Sequence, residues 1–203
     1  ILPQVKSLSS GEFVVVTQSY SYLGSGSYEI GRLGADASGA RTGSRTFVTA
    51  DDGLHNSYLR LAPDGDRYLV VWNDNSPGTA EVGGLVVDAA GNPGPEVPFT
   101  SAHSPSNPIS IFGPGNPQVA PLGAGFVALW TDAVSGANLA YARTFDGSGA
   151  TLANLLPLSS TPPGSAALAA VGDTFAVAFQ GSGNFVFSLY DANGAAIVAE
   201  TVI

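Results

Sequence analysis

Few residues in this 203-residue chain are suited to catalysis, and histidine is the scarcest of them. His55 and His103 both lie in polar connections between apolar segments, and Asp51 and Asp52 lie close to His55. Imidazole and carboxylate groups in such a set are suited to a metal ion or to proton transfer. Their spacing matches no diagnostic ligand motif, so solvated loop histidines beside an acidic turn are the alternative.

A second set of residues is suited to ligand binding. Tyr20, Tyr22 and Tyr28 lie among Ser and Gly, a mixture typical of recognition loops because rigid aromatic contacts combine with adaptable hydrogen bonding. The alternative is a strand that extends beyond Thr17 and packs its tyrosines on a neighbour. Trp72 and Trp130 end apolar runs, so packing is a better interpretation for them than stacking on sugars.

Two bases form a further candidate binding site. Lys6 and Arg60 align with each other in two apolar segments, where two related segments carry Ala120 and Ala169. If these segments line a central channel, the two bases would hold an anion or a carboxylate ligand. The alternative is that both side chains point outward or pair with acids.

Oxygen-rich loops make calcium the one candidate cofactor. Asp64-Gly65-Asp66 and Asn73-Asp74-Asn75 flank a single apolar run. Neither loop completes the twelve-residue pattern that ends in a bidentate Glu, so ordinary turn chemistry is the alternative.

Motifs of well-known enzyme classes are missing from the sequence. It contains no G-x-S-x-G elbow, no G-x-G-x-x-G, no P-loop and no cysteine for a thiol nucleophile or a zinc-thiolate site. We therefore expect a protein that is not an enzyme.

A repeated pattern predicts the elements that must position these residues. The tetrapeptide Asp-x-x-Gly occurs four times, at 36–39, 88–91, 146–149 and 191–194, and each copy follows an aromatic-led apolar run. Asp at the first position and Gly at the fourth are typical of a type I turn, so each tetrapeptide should join two strands as a hairpin. Every repeat contains four short segments rich in Val, Phe, Tyr, Leu or Ile, bounded by turn residues, which predicts four strands.

The predicted first strands are 3–8, 58–62, 117–122 and 166–171, and the predicted second strands are 13–17, 68–72, 126–130 and 175–179. The third strands are 28–35, 80–87, 139–145 and 184–190, and the fourth are 45–49, 96–100, 154–158 and 197–202. Four-stranded units of about 50 residues are typical of β-propeller blades. We predict an all-β, single-domain propeller with repeats at about 1–54, 55–107, 108–164 and 165–203, arranged as a four-bladed ring. An excised piece of a larger propeller and a stack of small sheets are the alternatives, and the proline-rich connection 101–116 is the best candidate for a linker between two halves.

Composition limits the partners. The chain has 16 acidic residues, seven scattered bases and a net charge of −9, which disfavours nucleic acid and anionic membrane surfaces. No apolar run is long enough for membrane insertion. The chain begins at Ile1 rather than Met, so we expect an excised or mature segment, and its sparse charge is typical of extracellular or cell-surface proteins.

The order P-x-V-x-x-L, then G-x-F-V-V-x-W, then D-x-x-G resembles the propeller-type repeats of large secreted bacterial proteins and adhesins, with the best match from Pro117 to Gly149. The resemblance implies a fold and a secreted setting, and no catalytic residue. We therefore expect an extracellular binding or scaffold module with a protein or glycan partner. The alternatives are a subunit that assembles with copies of itself into a surface layer or fibre, and a secreted carbohydrate-active enzyme or lectin.

Overall fold

A computed structural model of the chain describes residues 3–20, 26–50, 56–76, 79–99, 117–134, 137–155, 158, 165–180 and 183–203. The described part contains sixteen β-strands and no α-helix. In chain order the strands are β1 Gln4–Ser7, β2 Phe13–Tyr20, β3 Tyr28–Ala35, β4 Thr46–Phe47, β5 Asn56–Asp64, β6 Arg67–Ser76, β7 Thr79–Val87, β8 Val97–Pro98, β9 Gln118–Leu122, β10 Gly125–Val134, β11 Ala137–Phe145, β12 Thr151–Leu155, β13 Ser165–Val171, β14 Thr174–Gln180, β15 Phe185–Asp191 and β16 Ala196–Val202.

The strands form four antiparallel sheets of four, each following chain order: β1-β2-β3-β4, β5-β6-β7-β8, β9-β10-β11-β12 and β13-β14-β15-β16. This arrangement confirms the predicted all-β fold of four four-stranded repeats. The first three strands of each sheet lie close to the predicted segments, because alternating or continuous apolar residues specify them well. Closure into a ring stays a prediction.

The fourth strands differ most from the prediction. β4 and β8 have only two residues each, and β12 begins three residues earlier than predicted. In the second sheet, Pro93 pairs with Val87 only as an isolated bridge, and Pro95 follows two residues later. Because proline has no backbone N–H to donate, the ladder is interrupted there and resumes only at Val97.

The Asp-x-x-Gly tetrapeptides form the hairpin turns between the third and fourth strands. In each copy the glycine N–H donates to the aspartate carbonyl at 2.9 to 3.1 Å. Gly39, Gly91, Gly149 and Gly194 have φ angles between +81° and +90°, a region that favours glycine. Asp36 Oδ1 accepts hydrogen bonds from the backbone N–H groups of Ser38 and Ala40, so the carboxylate closes the turn as predicted.

The chain divides into two compact units, unit 1 at Ile1–Pro105 and unit 2 at Ser106–Ile203, and each has its own apolar core. The core of unit 1 is formed by both of its sheets: Val14, Val16, Ile30, Val48, Leu59, Leu61, Tyr68, Val70, Trp72, Leu85 and Val87. The core of unit 2 contains Leu122, Val127, Leu129, Ala140, Ala142, Leu158, Phe175, Val177, Phe179 and Val186.

Because the sheets are antiparallel meanders, their connections alternate between two edges. In unit 1, one edge holds the short turns, including both Asp-x-x-Gly tetrapeptides. The other holds the connections from β2 to β3, from β4 to β5 and from β6 to β7, and is called the loop edge below. Among the described residues, no helix is long and apolar enough to cross a membrane.

Candidate functional site

An exposed pair of tyrosines lies at the loop edge of unit 1. Tyr20 ends β2 and pairs directly with Tyr28, the first residue of β3. Their ring centroids are 5.3 Å apart at an interplanar angle of 73°, an edge-to-face arrangement. The two residues are 39% and 37% exposed, so the pair presents aromatic surface to solvent at this edge.

Of the two interpretations of these tyrosines, the structure bears only on the extended strand. The strand does extend beyond Thr17, since β2 continues to Tyr20. That extension brings Tyr20 and Tyr28 together at the surface, as a recognition site would require. Tyr22 lies outside the described residues, and a ligand-binding role for the three tyrosines stays a prediction.

A buried polar network lies directly beside this pair. The carboxylate of Glu29, which follows Tyr28, is fully buried. Its Oε1 accepts a hydrogen bond from the Ser27 hydroxyl at 2.5 Å. Its Oε2 accepts hydrogen bonds from the Thr49 hydroxyl at 2.8 Å and from Asn56 Nδ2 at 2.9 Å. Buried carboxylates need such donors, because an unsatisfied buried charge is strongly destabilising.

The network holds separate parts of the chain together. Thr49 follows β4, and Asn56 begins β5, so one carboxylate fixes both ends of the connection between the two sheets of unit 1. Thr49 Oγ1 also accepts the backbone N–H of Ile30 at 2.9 Å, which ties the network to β3. Glu29 is too deeply buried to touch a ligand. Its hydrogen bonds instead hold β3 and the start of β5 in place.

Glu29 carries only a weak signal in the sequence, and no role is predicted for it from the residue pattern. The available signal was one acidic residue between two apolar residues in the predicted strand 28–35. A charged residue there requires either exposure or dedicated partners. Its partners lie 20 and 27 residues further along the chain, so the sequence did not identify them.

Strand register brings two more acidic residues to the loop edge. Asp74 of β6 pairs with Asn56 of β5 on one side and with Glu81 of β7 on the other. Two acidic residues directly opposite in an antiparallel ladder are unfavourable, because like charges repel.

The backbone of β5 is irregular at the same edge. The register with β6 shifts between Ser57 and Arg60, which is a β-bulge. Within it Tyr58 has a φ angle of 52°, an uncommon conformation for a residue other than glycine. Strain of this kind concentrates at functional sites.

The prediction of two oxygen-rich loops is corrected for Asn73-Asp74-Asn75, which lies within β6, whereas the first predicted calcium loop is engaged in turn chemistry. Asp64 forms a salt bridge with Arg67, with Oδ2 2.6 Å from Nη2. Asp66 Oδ1 accepts hydrogen bonds from the Ser10 N–H at 2.6 Å and the Ser9 hydroxyl at 2.8 Å, and these bonds lower the pKa of Asp66. Within the described ranges, no group of three or more His, Cys, Asp or Glu residues could hold a metal ion. Calcium binding stays a prediction.

The predicted metal residues Asp51, Asp52, His55 and His103 lie outside the described residues, so their role also stays a prediction. The two tryptophans pack as expected: Trp72 is fully buried in the core of unit 1. Trp130 is 3% exposed and stacks on Tyr141, with centroids 6.1 Å apart.

The alignment of Lys6 with Arg60 is corrected by the register. Lys6 pairs with Val14, the second residue of its aromatic-led run, whereas Arg60 pairs with Val71, the fourth residue of the corresponding run. The two bases are therefore two positions apart, because five residues join β1 to β2 whereas only two join β5 to β6, which shifts the alignment. Arg60 donates from Nη1 to the Leu59 carbonyl at 2.9 Å, and an anion-binding role for this pair stays a prediction.

No protein-family model matches the sequence, and no curated protein matches it either. Solved structures match its fold. A sialidase from Trypanosoma rangeli, solved with the inhibitor DANA, has a TM-score of 0.57 at 11% identity, over 98% of this chain and 37% of the sialidase. A family 117 glycoside hydrolase from the marine bacterium Zobellia galactanivorans has a TM-score of 0.50 at 11% identity, over 98% of this chain and 68% of the hydrolase.

Prolyl oligopeptidase B from Galerina marginata matches with a TM-score of 0.51 at 14% identity, over 99% of this chain and 26% of the oligopeptidase. The chain thus spans about two thirds of the glycoside hydrolase and well under half of the other two. At these identities the likeness concerns the fold, which is that of propeller-type glycoside hydrolases and sialidases.

These structures correct one expectation. We expected that the chain is not an enzyme, because it lacks the motifs of several enzyme classes. That expectation is wrong, since the solved structures with this fold include a glycoside hydrolase and a sialidase. Missing sequence motifs are no ground for excluding catalysis on a fold whose sites are assembled from separate strands.

Proposed function

We propose that this chain is a carbohydrate-active propeller of the glycoside hydrolase type, which binds a glycan at the loop edge of unit 1. The observation that carries the proposal is the exposed Tyr20–Tyr28 pair at that edge. Sugar rings present apolar C–H faces and polar hydroxyl rims. Tyrosine offers a matching combination of ring surface and hydroxyl group.

The surroundings of the pair support a preorganised site. Glu29 lies next to Tyr28 in β3, and its three hydrogen bonds fix the start of that strand. A binding group held by a rigid second layer loses less conformational entropy when the ligand arrives. An extracellular location is part of the proposal, because a secreted protein has access to polymeric glycans outside the cell.

The proposed reaction is hydrolysis of a glycosidic bond. It generally requires two carboxyl groups, about 5–5.5 Å apart in retaining enzymes and about 6.5–9.5 Å apart in inverting ones. Asp74 and Glu81 are directly opposite residues at the loop edge. We assign them the acid and base roles, while Glu29 is a positioning residue.

Binding is tested with the whole chain on a glycan array, followed by titration of the best ligand. We expect Tyr20→Ala and Tyr28→Ala each to weaken binding about tenfold, in line with the worth of one aromatic contact. Tyr20→Phe is the matched control, because it keeps the ring. Lack of binding to any saccharide, or full affinity in both alanine variants, would overturn the proposed site.

Hydrolysis is tested by release of reducing ends from the bound glycan. We expect Asp74→Asn and Glu81→Gln to reduce the rate at least about 100-fold while binding persists, because each removes a proton-transfer group. Glu200→Gln, on the exposed strand β16, is the matched control. Full hydrolysis rates in both variants would refute the assignment of the acid and base. If the unmodified chain binds the glycan without hydrolysing it, the protein is a lectin and the proposed reaction is wrong.

A further inference from the structure

All seven bases of the chain lie within the described residues, so their positions can be compared with the proposed site. Three of them form hydrogen bonds or a salt bridge at or near the edge of unit 1 that holds the short turns. Arg32 donates from Nη1 to the Gly91 carbonyl at 2.5 Å, and Arg41 donates from Nε to the Gly43 carbonyl at 2.6 Å. Arg67 pairs with Asp64.

Two other bases of unit 1 are also away from the loop edge, and one base belongs to unit 2. Lys6 and Arg60 pair with residues in the interior of β2 and β6. Arg143 belongs to β11 of unit 2 and is half-buried. None of the six therefore lies at the strand ends that carry the tyrosine pair.

Arg45 is the one described base near the loop edge of unit 1. Its Nη1 is 3.4 Å from the Ser19 hydroxyl, and its guanidinium lies over the Phe47 ring, 5.2 Å from the centroid. Recognition of a carboxylate or sulfate ester typically uses several convergent bases or a bidentate arginine. At the loop edge there is one arginine, Arg45, which already contacts a ring and a hydroxyl group, and there are three acidic residues.

The charge balance at this edge is therefore negative. Glu29, Asp74 and Glu81 all lie at the loop edge, and the whole chain carries a net charge of −9. A field of this sign lowers the local concentration of anionic ligands and slows their association.

From these positions we infer that the glycan bound at the Tyr20–Tyr28 pair is uncharged, without uronic acid, sialic acid or sulfate groups. The inference deepens the proposed function and rests on it. It separates this chain from any propeller whose site is built around an arginine cluster, whatever the likeness in fold.

The test compares neutral glycans with counterparts that carry anionic groups. Dextran is measured against dextran sulfate, lactose against sialyllactose, and neutral against uronic acid-bearing oligosaccharides on an array, all at pH 7.5 and low ionic strength. We expect binding to be confined to neutral members, with at least tenfold weaker binding of each charged counterpart. Equal or tighter binding of an anionic member would overturn the inference and leave the proposed function intact. Absence of binding to every neutral and charged glycan would overturn both.

Arg45→Ala gives a second readout. Arg45 is not assigned to the site, so the affinity for the neutral ligand should stay within about twofold of the unmodified value. If the unmodified chain binds an anionic glycan and the variant loses that affinity, Arg45 contacts a negatively charged group on the ligand. The inference of an uncharged ligand would then be wrong.

Discussion

Glu29 shows how one side chain can organise a site that it does not touch. Its two oxygens accept three hydrogen bonds from residues before β3, after β4 and at the start of β5. A buried donor that loses its acceptor is destabilising by about 1–3 kcal/mol. The carboxylate therefore contributes to both the stability of unit 1 and the placement of Tyr28.

Replacing Glu29 separates these contributions. Glu29→Ala removes the carboxylate that accepts hydrogen bonds from three buried donors, so we expect the free energy of unfolding to fall by about 3 kcal/mol or more. Glu29→Gln keeps one acceptor oxygen, and since the hydroxyl groups can turn, a smaller loss of about 1–2 kcal/mol is expected. Urea denaturation measures both values.

Glu200→Gln is the control for the loss of one negative charge, and it should stay within about 0.5 kcal/mol of the unmodified chain. If Glu29→Ala unfolds at the same urea concentration as this control, the network has no role in stability. The glycan affinity of Glu29→Gln is measured as well. Because that variant retains more of the network and stays folded, a change in its affinity reports on the positioning of Tyr28.

At the scale of elements, the Asp-x-x-Gly turns are the most regular feature of the chain. Asp36 and Asp146 each accept hydrogen bonds from the N–H of the second and the fourth following residue and from a serine hydroxyl. The serine hydroxyl is the largest cause of the lowered pKa of Asp36 and Asp146, whereas for Asp88 it is the backbone N–H of Asn92. The turns therefore favour the ionised carboxylate.

These shifts predict the direction of acid destabilisation. A pKa lowered by folding gives stability that is complete above the unfolded value of 3.8 and is lost as the pH falls through the folded value. We expect the free energy of unfolding to decline below about pH 4. The combined variant Asp36→Asn, Asp88→Asn, Asp146→Asn should be less stable at pH 7 and decline less steeply with acid. Urea denaturation between pH 2 and pH 7 measures both slopes, and parallel curves would contradict the assignment.

At the scale of the whole molecule, two compact units have separate core clusters, yet the repeats run in one uninterrupted order. We keep the proposal that the four repeats form a single domain. Leu61 belongs to the core of unit 1 and Leu129 to that of unit 2. Truncating either side chain tests whether one core depends on the other.

Calorimetry provides that test. We expect one unfolding transition, which Leu61→Ala and Leu129→Ala each lower as a whole, since a buried Leu→Ala change is destabilising by about 2–5 kcal/mol. For a chain of this size that corresponds to roughly 4–20 °C in Tm. Two transitions, each lowered by only one of the variants, would show that the units unfold independently.

The sequence alone determined the repeat, the all-β class and the four turns. These features depend on neighbours in the chain: an aspartate that bonds to residues two and four positions later, a glycine with positive φ, and apolar runs bounded by turn residues. Local patterns of this kind are visible in any one copy and become convincing when they recur four times.

Only the tertiary structure decided which polar groups meet. The partners of Glu29 are as far as 27 residues away, and the offset of Arg60 from Lys6 is visible only in the pairing between strands. The short β4 and β8 likewise depend on where the ladder to the third strand resumes. A periodic pattern specifies which side of a strand is buried, whereas register and the contacts between sheets decide which residues become neighbours.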